Sequence, residues 1–323
     1  MKSKKVLFFG AGVLGSLYAA RLHEGGMDVT VVARGKRYRD IREKGIVLEE
    51  FSSGRRTITK VEVVDEMPVD EFFDVCVVLL QRTHVEAALP ILAKNQKIPA
   101  FLFMHNTVTG FDSLIEALGM DRVLIGHANA GGERKDDVVY YMISQSMTMG
   151  ELDGKKSDRL KEIANAFKAG GIKVEFNQNM DAWKRYHMAL GVPMTNAMYM
   201  SGSCNYKLSK DRQALEKFVK GTREAFEVLQ TLGYPIEPKK MRQLAAMPDF
   251  LLLNLFKWVF GMKIMDIGGA RHARNARVEM QKLSEEFLEM ADRAGVKTPT
   301  LRELHEYSRH LDETDKAPSE HDT

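Results

Sequence analysis

Residues 5–34 read KVLFFGAGVLGSLYAARLHEGGMDVTVVAR, and this stretch decides the fold class. An apolar run ends at a Gly-rich turn, apolar residues then recur at near-helical spacing, and a second apolar run begins at Val29. We interpret this order as strand, turn, helix and strand, a βαβ unit of roughly 30 residues. The two strands of such a unit are parallel, so the stretch predicts an α/β domain with a mostly parallel sheet.

The turn has the pattern G-x-G-x-x-G, formed by Gly10, Ala11, Gly12, Val13, Leu14 and Gly15. Gly10 permits the tight turn, Gly12 lets the backbone approach a pyrophosphate, and Gly15 lets the helix pack closely on the strand. The N-terminal dipole of the helix then faces the phosphates. The pattern therefore predicts a dinucleotide site in a Rossmann-type domain. The alternative is a Gly-rich turn that binds no ligand.

The end of the second strand indicates which dinucleotide is bound. Enzymes that use NAD usually carry Asp or Glu there, whereas this chain has Ala33 and Arg34, followed by Gly35, Lys36 and Arg37. A carboxylate would repel a 2′-phosphate, whereas a guanidinium pairs with it. We therefore predict NADPH as the cofactor and Arg34 as a residue that binds its 2′-phosphate. The alternative is a solvated basic loop, above all for Lys36 and Arg37.

Later segments extend the first domain. Apolar runs and helical patterns alternate at residues 75–80, 85–93, 100–104 and 114–118, which predicts further strands and helices of a parallel sheet. Residues 46–51 and 57–64 flank the sequence SSGRR and predict a hairpin at the edge of that sheet. Ser157 is the expected N-cap of a helix over residues 158–168, and residues 172–176 are expected to form the last strand.

After residue 177 the pattern becomes helical throughout. Apolar residues recur at helical spacing, as at Leu215, Phe218, Val219, Thr222, Phe226 and Leu229. We predict an all-α second domain, with residues 1–178 in the first domain and residues 179–323 in the second. The length of 323 residues also favours two domains, because single cores stop growing near ~250 residues.

Composition excludes several classes of protein. A net charge of +3 is too balanced to indicate a nucleic-acid partner. Cys76 and Cys204 provide neither a disulfide framework nor the spacing of metal ligands, so we expect a cytoplasmic protein without a metal. The apolar stretch FLLLNLFKWVFGMKIM at residues 250–265 is shorter than the ~20 apolar residues that span a bilayer.

Five short segments resemble the ketopantoate reductases, also called 2-dehydropantoate 2-reductases. They are FFGAGVLGS, VVARG, MHN at residues 104–106, MGE at residues 149–151 and AWKR at residues 182–185. The resemblance implies a Rossmann domain followed by an all-α domain like the C-terminal domain of 6-phosphogluconate dehydrogenase, with the active site in the cleft between them. It also implies hydride transfer from NADPH to a small 2-oxo acid, a reaction of pantothenate biosynthesis.

The resemblance also assigns the catalytic residues. Lys184 matches the family's catalytic lysine, and an ammonium suits this role because it can stabilise and then protonate the alkoxide that hydride transfer leaves. Asn106 matches the asparagine that lies between the nicotinamide and the substrate, and Glu279 matches a glutamate that contacts the substrate. The alternatives are a solvent-facing lysine, a turn-capping asparagine and an exposed helix carboxylate.

Three positions depart from the family pattern. The family commonly has asparagines four and eight residues beyond the catalytic lysine, where this chain has Met188 and Val192. Because residues four apart share a helix face with Lys184, we assign both to substrate binding and expect a substrate less polar or bulkier than ketopantoate. Gln81 replaces a lysine of the family, and we assign it to cofactor binding.

Other residues could complete the substrate site. His105 and His187 could donate a proton near neutral pH, or they could be core or surface histidines. Arg271, with His272 and Arg274 beside it, could bind a substrate carboxylate or form a solvated turn.

We therefore interpret the chain as an NADPH-dependent reductase of a small 2-oxo acid that could form a homodimer through its helical domain. Residues 250–265 either help to close the substrate site over an apolar ligand or pack in the helical core or at a dimer contact. The alternative function is an NADPH sensor or partner-binding protein with weakened catalysis. Lys184 favours the enzyme, and the missing asparagines favour the sensor.

Overall fold

The computed structural model describes residues 3–309, and the chain divides into two units. The first unit contains the residues up to Asn106 together with residues 110–181, and the second contains residues 107–109 and the residues from Ala182 onward. Each unit has its own buried apolar core. The predicted fold class is confirmed, because the first unit is a Rossmann-type α/β domain and the second is helical.

An eight-stranded sheet forms the centre of the first unit. Its strands in spatial order are β12 (Val174–Phe176), β11 (Met147–Glu151), β8 (Val123–His127), β7 (Phe101–Phe103), β6 (Val75–Val78), β1 (Lys5–Phe9), β2 (Asp28–Val32) and β5 (Glu62–Val64). Neighbouring strands are parallel except β8 and β11, which are antiparallel. Val6, Leu7 and Phe8 of β1 are fully buried, as expected for a central strand that is covered on both faces.

A second sheet corrects the predicted hairpin. It consists of β4 (Arg56–Thr59), β3 (Ile46–Glu50), β10 (Val138–Ile143) and β9 (Ala130–Lys135), in that spatial order. β3 and β4 do form an antiparallel hairpin, but it belongs to this second sheet. Only β5 of the predicted second arm lies at the edge of the large sheet, where it pairs with β2. The prediction was wrong because an alternating pattern identifies a strand but not its partner.

The helices of the first unit follow the strands. They are α1 (Val13–Glu24), α2 (Gly35–Lys44), α3 (Arg82–Leu92), α4 (Asp112–Leu118) and α5 (Asp158–Ala169), with a short 3₁₀ turn at Met120–Arg122. Tyr18 of α1 packs edge-to-face on Phe167 of α5, with 5.8 Å between ring centroids. The predicted N-cap of α5 is confirmed, since the Oγ of Ser157 accepts a hydrogen bond of 3.1 Å from the N–H of Leu160.

The described part of the second unit is helical. Its helices are α6 (Met180–Met200), α7 (Asn205–Leu208), α8 (Arg212–Thr231), α9 (Lys239–Ala246), α10 (Asp249–Phe260), α11 (Lys263–Met265), α12 (Arg271–Asn275), α13 (Arg277–Ala294) and α14 (Pro299–Arg309), with a π-helical turn at Asp266–Ala270. The buried carboxylate of Glu224 in α8 accepts hydrogen bonds from the N–H groups of Thr300 and Leu301, which caps α14. Within residues 3–309, no helix combines the length and the apolar character that a membrane crossing needs.

Candidate functional site

The Gly-rich loop connects β1 to α1 with no room for side chains at two of its glycines. Gly10 has a φ of +113°, and a Cβ there would stand 2.5 Å from the carbonyl oxygen of Leu79. A Cβ at Gly15 would overlap the carbonyl oxygen of Gly10. These two glycines therefore set the tight turn and the close approach of α1 to the strand, as the sequence pattern predicts.

Gly12 differs from its neighbours because it faces open space. It is the N-cap of α1, and a Cβ built on it meets no atom within 4 Å. The first turn of α1 contains no acidic residue, so no carboxylate there opposes an anion at the positive end of the helix dipole. This arrangement fits the pyrophosphate of a dinucleotide.

The basic residues after β2 fall into two classes. Arg34 is exposed at the N-cap of α2, directly beyond the strand, and Lys36 is exposed and paired with Asp40 at 2.9 Å. Arg37 is buried, so its interpretation as part of a solvated loop was wrong. Its Nε donates to the carbonyl oxygen of Ala11, because α2 turns this side chain beneath the Gly-rich loop.

Two further candidates of the first unit lie at the same edge of the sheet. Gln81 is exposed at the N-cap of α3, just after β6, and half-buried Asn106 follows β7. Because β7, β6, β1 and β2 are adjacent and parallel, their carboxyl ends share one edge, where ligands bind in doubly wound sheets. The unit thus brings Gln81, Asn106 and Arg34 to the edge that carries the Gly-rich loop. His105, by contrast, is buried and packs edge-to-face on Phe103.

Lys184 is the most unusual titratable group of the second unit. It lies one turn into α6 and its side chain is only 1% exposed, so the solvent-facing alternative is wrong. Burial lowers the pKa of the Lys184 ammonium to about 7, while the carboxylate of Glu279 opposes that decrease. An amine with this pKa exists in both protonation states near neutral pH, as a proton donor must.

Glu279 and Lys184 interact within the helical unit. Glu279 lies in the first turn of α13 and is 3% exposed, so it is not an exposed helix carboxylate. Its negative charge is the partner that raises the pKa of Lys184. The structure therefore brings together the two second-domain residues that the resemblance assigned to catalysis.

His187 lies beside Lys184 but is not suited to donate a proton as an imidazolium. Its half-buried ring stacks on Trp183, with 5.3 Å between centroids and 14° between ring planes. Burial lowers the pKa of His187 to about 3, and the positive charges of Lys184 and His272 lower it further. The imidazole is therefore neutral at pH 7.

The predicted substrate contacts have different environments. Met188 and Val192 are each 2% exposed and belong to the apolar core of the helical unit. Arg271 is half-buried, and its Nε and Nη2 donate to the Oδ2 of Asp266 at 3.1 and 2.8 Å. The guanidinium is thus held across the π-helical turn, so it is not part of a solvated turn.

The apolar stretch at residues 250–265 packs in part on the helical core. Phe256 and Phe260 of α10 pack edge-to-face on Phe218 of α8, with centroid distances of 4.7 and 5.4 Å. The opposite face carries Phe250 and Trp258, each 63% exposed. The inner face of α10 therefore packs in the helical core, which is one of the roles predicted for residues 250–265.

One buried polar cluster is absent from the sequence prediction. Asn196 of α6 is fully buried and donates to the Oγ of Ser284 in α13 at 3.0 Å, and the Nδ1 of His305 in α14 lies 2.9 Å from the same oxygen. These bonds fix the helix that carries Lys184 against the helix that carries Glu279. In the sequence, the sign of this cluster is the amide side chain of Asn196 within an otherwise apolar helical run.

Comparisons with known proteins agree with this description. Residues 6–154 match the family model described as ketopantoate reductase PanE/ApbA. The chain is 22% identical over 313 residues to the 2-dehydropantoate 2-reductase of Aquifex aeolicus, which covers 92% of this chain and 93% of that protein. It is 26% identical over 192 residues to the uncharacterized oxidoreductase YkpB of Bacillus subtilis, covering 56% of this chain and 61% of that protein. The predicted resemblance is thereby confirmed.

A solved structure extends the likeness in fold to nearly the whole chain. The ternary structure of D-mandelate dehydrogenase with NADH and anilino(oxo)acetate matches with a TM-score of 0.79 at 16% sequence identity. The match covers 94% of this chain and 97% of that one. At this identity the likeness is one of fold.

Proposed function

We propose that this chain, whose residues 6–154 match the ketopantoate reductase family model, is an NADPH-dependent oxidoreductase that reduces a 2-oxo acid to a 2-hydroxy acid. The observation that carries the proposal is the buried ammonium of Lys184, whose pKa is about 7. The curated relative from Aquifex aeolicus, named 2-dehydropantoate 2-reductase, supports the same class of reaction.

Lys184 provides the proton in this proposal. NADPH, when bound, supplies the hydride that reduces the keto carbon. The ammonium of Lys184 stabilises the negative charge that develops on the substrate oxygen and then protonates it. Glu279 keeps enough Lys184 protonated near neutral pH by raising its pKa, and Asn106 orients the substrate carbonyl at the sheet edge.

Arg34 selects the cofactor in this proposal. Its exposed position directly beyond β2, with no acidic residue from Ala33 to Arg37, supports NADPH over NADH. The D-mandelate dehydrogenase of similar fold was solved with NADH, so NADH is the competing cofactor. Gln81, at the N-cap of α3, is proposed as a further contact to the cofactor.

Replacing Arg34 by Ala tests this selection. We expect NADPH binding to weaken by about 10-fold, the lower end of the cost of a charge-assisted bond because the site is exposed, and NADH binding to stay nearly unchanged. Fluorescence titration with both cofactors measures the two dissociation constants. Lys36→Ala is the matched control, because Lys36 is already paired with Asp40. Equal weakening of both cofactors by Arg34→Ala contradicts the assignment.

The substrate is proposed to be less polar or bulkier than ketopantoate. Met188 and Val192 put hydrocarbon on the helix face of Lys184, and the structural relative was solved with an anilino-substituted oxo acid. Arg271 is proposed to contact the substrate carboxylate alongside its bond to Asp266. The two-domain division at residue 178, the cytoplasmic location and the homodimer remain predictions.

A panel of 2-oxo acids of increasing side-chain size tests the substrate proposal. We expect kcat/KM of the wild type to rise with apolar side-chain size, and Met188→Asn to shift the preference toward ketopantoate by up to ~10-fold, since one neutral hydrogen bond contributes about 0.5–1.5 kcal/mol. Met194→Asn, on another face of α6, is the control. A wild-type preference for ketopantoate contradicts the substrate class. Saturable NADPH binding without turnover of any acid supports the sensor instead.

A further inference from the structure

Arg37 lies beneath the Gly-rich loop and contacts it directly. The side chain is 8% exposed. Its Nε donates to the carbonyl oxygen of Ala11 at 3.2 Å, its Nη2 donates to the Oγ of Ser16 at 2.8 Å, and its Nη1 donates to the carbonyl oxygen of Asp137 at 3.5 Å. The same Ser16 hydroxyl donates to Ala11 at 3.1 Å. Two donors therefore hold one carbonyl of the phosphate loop.

That carbonyl controls the direction of an N–H group. In a trans peptide the carbonyl oxygen and the following N–H point to opposite sides. Because Arg37 and Ser16 hold the Ala11 oxygen, the N–H of Gly12 is directed away from these two side chains. The space beside the Gly12 Cα is also open, since a Cβ built there meets no atom within 4 Å. The contact thus fixes the direction of one backbone donor in the loop that fits a pyrophosphate.

The charge of Arg37 is not neutralised by a direct partner. All three of its acceptors are uncharged, and across residues 3–309 no carboxylate forms an ion pair with its guanidinium. The nearby Asp40 and Asp137 are paired with Lys36 and Lys44 at 2.9 and 2.7 Å. Burial, and then the positive charge of Arg134, lower the pKa of Arg37 to about 10, so the group is still a cation at pH 7. A buried cation of this kind gains from an incoming anion.

We propose that Arg37 is a positioning residue for the cofactor phosphates, which orients the Gly12 N–H through Ala11 and supplies positive charge beneath the pyrophosphate. The role rests on the proposed binding of a nicotinamide dinucleotide. It differs from that of Arg34, because both nicotinamide cofactors contain the pyrophosphate and only NADPH contains the 2′-phosphate. Arg37 contributes to affinity for both cofactors, and Arg34 contributes to their discrimination.

The test compares four variants with the wild type for the binding of three ligands, measured by calorimetry. Arg37→Gln is expected to weaken NADP⁺ and NAD⁺ equally, by roughly 10-fold, and to leave adenosine 2′-phosphate nearly unaffected. Arg34→Ala is expected to weaken NADP⁺ and adenosine 2′-phosphate and to spare NAD⁺. Arg37→Lys keeps the charge and one donor, so it is expected to recover part of the lost affinity. Arg39→Gln, an exposed arginine of the same helix, is the matched control.

Three results overturn this proposal and leave the proposed function intact. The first is Arg37→Gln with wild-type affinity for both dinucleotides, and the second is a loss confined to NADP⁺, which would make Arg37 a second reader of the 2′-phosphate. The third is a lower melting temperature with an affinity that Arg37→Lys does not recover, since the arginine then serves packing alone. A wild type that binds neither dinucleotide overturns the proposed function as well, which separates the two failures.

Discussion

Replacing Lys184 by Met is expected to lower kcat for reduction by ~10²–10⁴, the usual contribution of a positioned general acid. Methionine has a similar length and suits a buried position, but it has neither a proton nor a charge for the developing alkoxide. Cofactor affinity is expected to stay close to that of the wild type, because the Gly-rich loop and Arg34 belong to the other unit. Steady-state kinetics and a cofactor titration measure the two effects separately.

The pH profile checks the same assignment. The acid must be protonated, so kcat/KM for reduction by the wild type is expected to fall as the pH rises through about 7, the pKa of Lys184 in the free protein. Lys220→Met, at an exposed position of α8, is the control and should keep the wild-type rate and profile. If Lys184→Met keeps more than a tenth of the activity, another group is the acid. His187 is a poor candidate, because its pKa of about 3 leaves it neutral.

Gly12→Ala and Gly15→Ala are expected to separate cofactor binding from folding. A Cβ on Gly12 meets no protein atom within 4 Å, so Gly12→Ala should retain the wild-type melting temperature. The same methyl group stands where the pyrophosphate approaches, and overpacking of ~1–3 kcal/mol there corresponds to a roughly 10- to 100-fold loss of affinity for NADPH and NADH alike.

Gly15→Ala provides the contrast. Its Cβ would overlap the carbonyl oxygen of Gly10, so α1 must move away from the strand and the free energy of unfolding should decrease by ~1–3 kcal/mol even without cofactor. Thermal melts with and without NADPH give both quantities. A Gly12→Ala protein that binds NADPH as tightly as the wild type would show that the pyrophosphate does not pass over this residue.

Much of the first unit could be predicted because its signals are local. The βαβ unit, the Gly-rich loop and the cap at Ser157 depend on residues within one turn or one strand of each other. The small sheet could not be predicted in the same way. β9 and β10 are not preceded by a distinctive motif, and the second partner of β3, after β4, is β10, about 90 residues later in the chain by their register.

The candidate site likewise contains residues that the sequence could predict and contacts that it could not. The resemblance to a family predicted roles for Lys184, Asn106 and Glu279, and the sequence placed Arg34 at the end of β2. They did not indicate the network of Asn196, which joins three helices through Ser284 and His305. A hydrogen bond between residues about 90 positions apart leaves no spacing pattern in one sequence.

The sequence by itself determined the Rossmann-type loop and the change to an all-helical second half, because glycine geometry and apolar periodicity act over a few residues. The role predicted for Lys184 came from the resemblance to a family. Only the tertiary structure decided that Lys184 has a pKa of about 7, that Glu279 is buried near it, and that Arg37 lies beneath the loop. Burial and charge interactions depend on neighbours brought together from distant parts of the chain, so the chemistry of these residues emerges only when the chain is folded.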